Sequence, residues 1–182
     1  VRPARACRML GIGRFTERVD VLLNYALNQK KSPFTRRDAC KGLGKMGVLN
    51  STVVDCLIQA TDDDYFETVN EALYSLYQLF STQKNLILDA EAHKIDILKI
   101  KKIATVHSQS KEFDIRMNAL GLLALLCSHF DEIRDAFERN YFHPNWQVRK
   151  RMVECFAEMQ KNSKIDKSEV EDILNNRFLQ TS

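Results

Sequence analysis

The sequence predicts an all-α protein, an α-solenoid of about five stacked antiparallel helix pairs, and three observations lead there. First, the stretch Arg36-Arg37-Asp38-Ala39-Cys40-Lys41-Gly42-Leu43-Gly44 has counterparts along the chain, at Arg5-Ala6-Cys7-Arg8-Met9-Leu10-Gly11 and at Glu71-Ala72-Leu73. Second, the spacing is nearly constant: Ala6, Ala39 and Ala72 recur at a step of 33, Ala119 and Met152 are separated by the same step, and only the interval from Ala72 to Ala119 is longer, at 47. A fixed period in this range marks a stacked repeat array. Third, apolar residues within each unit recur at three and four residues, the spacing of one helix face. The expected units are residues 1–31, 32–64, 65–110 with an insertion near 81–94, 111–143 and 144–182, forming a single domain. The chain does not open on Met, and it is expected to be a segment of a longer protein.

The elements follow in order. Pro3 suits a first helical turn, where its missing N–H costs nothing, and Ala6, Met9, Leu10 and Gly13 supply a short apolar stripe. Thr16 is placed to cap a second helix, in which Val19, Leu22, Leu23, Ala26 and Leu27 share one face before Ser32-Pro33. The next unit repeats this with a helix from about 35 to 46 closing at Gly47, a cap at Ser51, and Val54, Leu57 and Ile58 buried. Asp62-Asp63-Asp64 is expected as a turn and N-terminal cap, because acids suit the unpaired N–H groups and dipole of a helix start. Val69, Ala72, Leu73, Leu76 and Phe80 face the core beyond it. The long step then leaves room for a short extra helix at Leu86, Ile87, Leu88 and Ala90, followed by a second helix facing inward through Ile95, Leu98, Ile103 and Val106. Residues 114–127 are so apolar that their helix belongs in the middle of the stack, with Phe130, Ile133 and Phe137 on its partner. His143-Pro144-Asn145 turns the chain into a helix facing inward through Val148, Met152, Val153 and Phe156, and Val170, Ile173, Leu174 and Phe178 line the last one.

Composition excludes several classes. The chain is 45% hydrophobic and 28% charged, an ordinary globular balance, and its net charge of +3 is too small to imply nucleic acid or an acidic membrane by itself. Five widely spaced cysteines without a Cys-x-x-Cys pair favour neither a disulfide framework nor a zinc site, so reduced thiols and an intracellular location are expected, cytoplasmic with the nucleus left open. No apolar run approaches the roughly 20 residues of a membrane span.

At Asp114-Ile115-Arg116-Met117-Asn118-Ala119 and Pro144-Asn145-Trp146-Gln147-Val148-Arg149 the chain resembles HEAT repeats, in which a turn with Asp, Asn or Pro precedes Val-Arg and a small residue. The resemblance covers nearly the whole chain and looks like the shorter, 33-residue HEAT-like (armadillo-type) variety. Thr68-Val69 and Thr35-Arg36 match only in part. The family implies a scaffold, with the second helix of each pair lining a concave surface; the motif speaks to fold and hardly to function.

Catalytic readings find little support. His93, His107, His129 and His143 lie in different units, without the His-Glu pairs that identify the metal-dependent hydroxylase among HEAT-like proteins, and no metal or cofactor is expected. Cys7 and Cys40 occupy equivalent repeat positions and read as small buried residues. Gly42-Leu43-Gly44-Lys45-Met46-Gly47 lacks the Gly-Lys-Ser/Thr ending of a phosphate loop and reads as helix termination. HEAT-like DNA glycosylases use aromatic side chains in a basic concavity, but Trp146 beside Asn145 reads as packing or capping.

Charge is the sharper hint. Formal charges total +7 over the first helices and −5 over the second. With second helices lining the concavity, the expectation is a non-enzymatic adaptor that binds a protein or peptide through Asp55, Gln59, Asp131, Asp135, Glu138, Glu169 and Asp172, interrupted by a basic patch at Lys94, Lys99, Lys101 and Lys102. The alternative is nucleic-acid binding through a basic ridge on the first helices: Arg2, Arg5, Arg8, Arg36, Arg37, Lys41, Arg149, Lys150 and Arg151.

Overall fold

The computed structural model describes residues 3–178, apart from the side chains of Leu86, Leu88, Leu174 and residues 176–178. Arg2 and the apolar side chains expected at Leu86, Leu88, Leu174 and Phe178 lie outside the described residues. All regular structure among those described is helical. First helices α1 (Pro3–Ile12), α3 (Pro33–Met46), α5 (Phe66–Thr82), α8 (Phe113–Leu126) and α10 (Trp146–Lys161) alternate with second helices α2 (Val19–Ala26), α4 (Ser51–Ala60), α7 (Ile97–His107), α9 (Arg134–Glu138) and α11 (Lys167–Phe178). A single turn, α6 (Asn85–Leu88), occupies the insertion. Among the described residues the architecture is a solenoid of five helix pairs. Successive first helices pack side by side from α1 to α10, and α2, α4 and α7 each lie against the first helix of the next pair.

Local chemistry sets the boundaries. The Ser32 hydroxyl accepts the Thr35 N–H at 3.3 Å with Pro33 opening α3, and Gly47, at φ +77°, closes it in the left-handed region. At α4 the cap is Asn50 and not Ser51: Asn50 is extended and its side chain accepts the Val53 N–H at 2.9 Å, while Ser51 is already helical. Thr16 begins a 3₁₀ turn before α2 and caps nothing. Of the three acids expected to cap α5, Asp63 takes the Tyr65 N–H at 2.8 Å in the turn ahead of the helix.

The first-helix layer is held together by close approach. A Cβ on Gly11 would stand 2.5 Å from the Gly42 Cα, and one on Gly44 would stand 2.5 Å from the Ser75 Oγ, whose hydroxyl donates to the Cys40 carbonyl at 2.9 Å. Gly42 and Gly44 are thus contact residues inside α3 and only Gly47 terminates it, correcting the expectation of a glycine-rich helix end. Ala39, Ala72 and Ala119 are completely buried at the same seam, whereas Ala6 is half-buried. Cys7 and Cys40 are buried and unpaired, and desolvation raises the Cys7 thiol to about 11.

Several inward faces differ from those expected. On α1 it is Cys7 and Gly11 that are buried, while Met9 is 55% exposed. On α7 the buried face runs through Ile100 and Ala104, leaving Leu98 and Val106 at 61% and 72% exposure. On α10, Met152, Cys155, Phe156 and Met159 face inward, and Val153 does not. Trp146 is 61% exposed; the cap of α10 is Asn145, accepting the Gln147 N–H at 2.8 Å. The apolar helix expected in the middle of the stack is α8, the fourth of the five first helices; it is buried continuously from Ala119 to Leu126 because α5, α7 and α10 all pack on it. Phe130 and Phe137 meet Phe156 with centroids 5.6 Å away in each case, and Tyr141 stacks on Phe156 at 5.1 Å.

Two histidines make the stack sensitive to acid. Burial lowers the pKa of His107, against the pull of Asp62, and burial together with Arg116 and Arg149 lowers that of His143, whose Nδ1 accepts the Asn145 N–H at 3.1 Å. Both folded values lie below the unfolded one near 6.5, so the unfolded chain binds more protons in that window. Their contribution is fully present above about pH 6.5 and is lost as pH falls. The thermal midpoint is expected to drop between about pH 7 and pH 5, and the drop to shrink in the His107→Asn, His143→Asn double variant.

Candidate functional site

The two layers present different surfaces. On the first helices, charged residues tie successive pairs together. Arg8 of α1 reaches Asp38 of α3 at 2.8 Å, Arg37 of α3 bonds both Asp38 and Glu67 of α5, and Lys41 reaches Glu71 at 3.0 Å. Arg8 and Lys41 are 33 residues apart, as are Asp38 and Glu71, so the same contact, a rung between successive first helices, is made twice. Above the rungs lies a cleft of about 540 Å³ lined by Arg8, Arg37, Asp38, Lys41, Phe66, Glu67, Asn70, Glu71 and Asp114. It continues through Arg8, Arg37 and Asp38 into a second of about 430 Å³ that reaches Arg5 and Phe34.

This arrangement breaks up the expected basic ridge. Arg36 is only 6% exposed, because its guanidinium turns inward to bind Asp63 through two bonds of 2.6 and 2.8 Å and the Lys31 carbonyl at 2.9 Å. Arg8, Arg37 and Lys41 are engaged by acids. Arg149 donates to the His143 and Pro144 carbonyls, Lys150 lies 3.6 Å from Glu154, and Arg151 lies over the Tyr77 ring while donating to the Met117 carbonyl. Arg5 is exposed and, among the described residues, makes no ion pair.

The second helices carry the acids expected to contact a partner, and the structure divides them. Asp55 and Gln59 are exposed one turn apart on α4, and Asp135 and Asp172 are exposed on α9 and α11. Asp131 and Glu169 are brought together by Arg134, 2.7 and 3.0 Å away, which also covers the Phe130 ring at 4.8 Å; this cluster ties α11 to the turn before α9. Glu138 is half-buried on α9. Between the two acidic groups lies α7, where Lys99 and Lys102 are exposed and Lys101 is held 2.5 Å from Glu132. Lys94 is exposed ahead of α7. Leu98 and Val106 were not foreseen as surface residues. Their signal is present in the sequence: they share a face with Lys102, off the stripe of Ile97, Ile100 and Ala104.

Among the described residues no group of His, Cys, Asp and Glu is placed to hold a metal ion. Burial raises the pKa of Cys56 and Cys155 to about 12, keeping both as thiols. No described helix is long and apolar enough to cross a membrane.

No family model and no curated protein matches the sequence. Solved structures do. The complex of CpcE and CpcF of phycocyanin lyase from Nostoc sp. PCC7120 superposes with a TM-score of 0.63 at 17% identity over 87% of this chain. The chain spans 59% of the length of that protein. The crystal structure of an engineered protein gives a TM-score of 0.64 at 16% identity, covering 86% of this chain and 72% of the other. At such identities the likeness speaks to architecture alone, and the architecture of this chain is a helical-repeat solenoid.

Proposed function

We propose that this chain is a non-enzymatic solenoid module of the short HEAT-like kind, with a repeat period of about 33, that binds another protein along its second-helix face. The observation that carries this reading is the contrast between the layers: the first-helix bases are largely neutralised within the fold, whereas Asp55 and Asp135 are exposed and form no ion pair among the described residues. Free carboxylates speed association with basic partners and select among them more than they add affinity. Leu98 and Val106 supply apolar surface between the acidic groups, as the centre of an interface requires. The recurrence of the Arg8 and Lys41 rungs at one repeat step supports the short register.

The lyase neighbour is a complex of two proteins, an association of the kind proposed; its activity is not carried over at 17% identity. Five unpaired, buried thiols support an intracellular location. Nucleic-acid binding is less well supported, because counterion release needs bases that are free to meet phosphates. Capture from cell lysate at two salt concentrations, with and without nuclease, tests the proposal. Protein partners should survive nuclease and be depleted severalfold by the Asp55→Lys, Asp135→Lys double variant. Recovery of nucleic acid alone, lost steeply with salt, would overturn it.

A further inference from the structure

The ladder across the first helices has a rung without its base. Between α3 and α5, Arg37 stands opposite Glu67 and bonds it. One unit along, Asn70 follows Arg37 by the regular step, and Asp114 follows Glu67 by the same long step that separates Ala72 from Ala119. Where arginine would meet Asp114 the chain therefore has an asparagine, which turns to Asn118 instead, at 2.7 Å. Asp114 is exposed, lines the 540 Å³ cleft and makes no ion pair among the described residues. The cleft holds three bases, Arg8, Arg37 and Lys41, against four acids, Asp38, Glu67, Glu71 and Asp114, an excess of one negative charge. No described residue donates to the second carboxylate oxygen of Glu71.

The fold shows what completes such a rung. The Arg37 guanidinium lies 5.4 Å from the centre of the Phe34 ring and bonds acids on two helices, Asp38 and Glu67. The same aromatic edge continues from Phe34 to Tyr65 at 5.8 Å and from Tyr65 to Phe66 at 5.6 Å, and Phe66, 48% exposed, shares the cleft with Asp114. A planar cation held between an aromatic face and a carboxylate is the geometry guanidinium favours over ammonium. We propose that the cleft between α5 and α8 receives an arginine side chain from a partner protein, its guanidinium on Phe66 and Asp114 in the manner of Arg37 on Phe34 and Glu67. This surface belongs to the first helices and does not depend on the second-helix reading.

The test is ¹H–¹⁵N correlation spectroscopy of the protein titrated with acetyl-Gly-Gly-Arg-Gly-Gly-amide, and with the same peptide carrying citrulline or lysine. The arginine peptide should shift the amides of Phe66 and Asp114 and the side-chain amide of Asn70. Citrulline should give no shifts, and lysine should bind roughly threefold to fivefold more weakly. Asp114→Asn should abolish the response while leaving the remaining spectrum intact. Asn70→Arg should fill the rung from within, raising the thermal midpoint and blocking the peptide. Equal shifts with citrulline, or an undiminished response in Asp114→Asn, would overturn the proposal; so would an Asn70→Arg variant that still binds the peptide. No lysate partner enters this experiment, so its outcome is separate from that of the Asp55→Lys, Asp135→Lys capture.

Discussion

Arg36→Met is expected to destabilise the protein by about 3–5 kcal/mol, the cost of leaving a buried carboxylate without its counterion. Asp63 has a side chain only 2% exposed, and Arg36 is its bidentate partner. In a chain of this size each kcal/mol moves the thermal midpoint by about 2–4 °C, so a fall of roughly 10 °C is expected in a melt followed by circular dichroism. Arg36→Met combined with Asp63→Leu should recover much of the loss, because removing both charges removes the desolvation problem as well. A single variant melting within about 2 °C of the parent would show that the pair does not hold the stack. The pair also leaves an acid signature. Burial pushes the Asp63 carboxyl up, but bonds from Arg36 and the Tyr65 N–H outweigh it and leave the pKa lowered. Its contribution is therefore present above the unfolded value near 3.9 and is lost as pH falls through the lower folded value.

Gly11→Val should cost about 3 kcal/mol, the upper part of the range for overpacking. The new Cβ would lie 2.5 Å from the Gly42 Cα and 2.7 Å from the Gly42 carbonyl oxygen, and backbone cannot give way as a flexible side chain can. The two helices must separate, opening the seam at Cys7 and Leu22. Met9→Val, on the exposed side of the same helix, is the control, expected to melt close to the parent. Equal melting points for the two variants would place the α1 and α3 crossing elsewhere.

Both residues show how sequence and structure divide the information. The 33-residue step pairs Gly11 with Gly44 and says nothing of its contact with Gly42, and the sequence reads the glycine-rich stretch of α3 as a helix end. A glycine that ends a helix and one that admits a neighbouring backbone look alike in sequence; only Gly47 has the left-handed φ of the first kind. Arg36 and Arg37 are adjacent and chemically identical in sequence. One is buried on Asp63 and the other bridges Asp38 and Glu67, because successive helix positions are rotated by about 100° and meet different neighbours. The candidate arginine cleft shares this character. Asn70 and Asp114 lie far apart in the chain, and the long step between their units hides that they take the places of Arg37 and Glu67.

The all-helical solenoid was legible in the residues alone, as were the continuously apolar helix expected at 114–127 and the small residues at the seam. Those features depend on local periodicity and side-chain size, which a linear chain displays. The tertiary structure alone decided which charges remain available. Whether a surface base is free or spent depends on which acid the next helix brings within about 3–4 Å, and that is fixed by helix rotation and packing across the stack. So the bases Arg8, Arg37 and Lys41 became a ladder of ion pairs, while Asp55, Asp135 and Asp114 stay exposed and make no ion pair among the described residues.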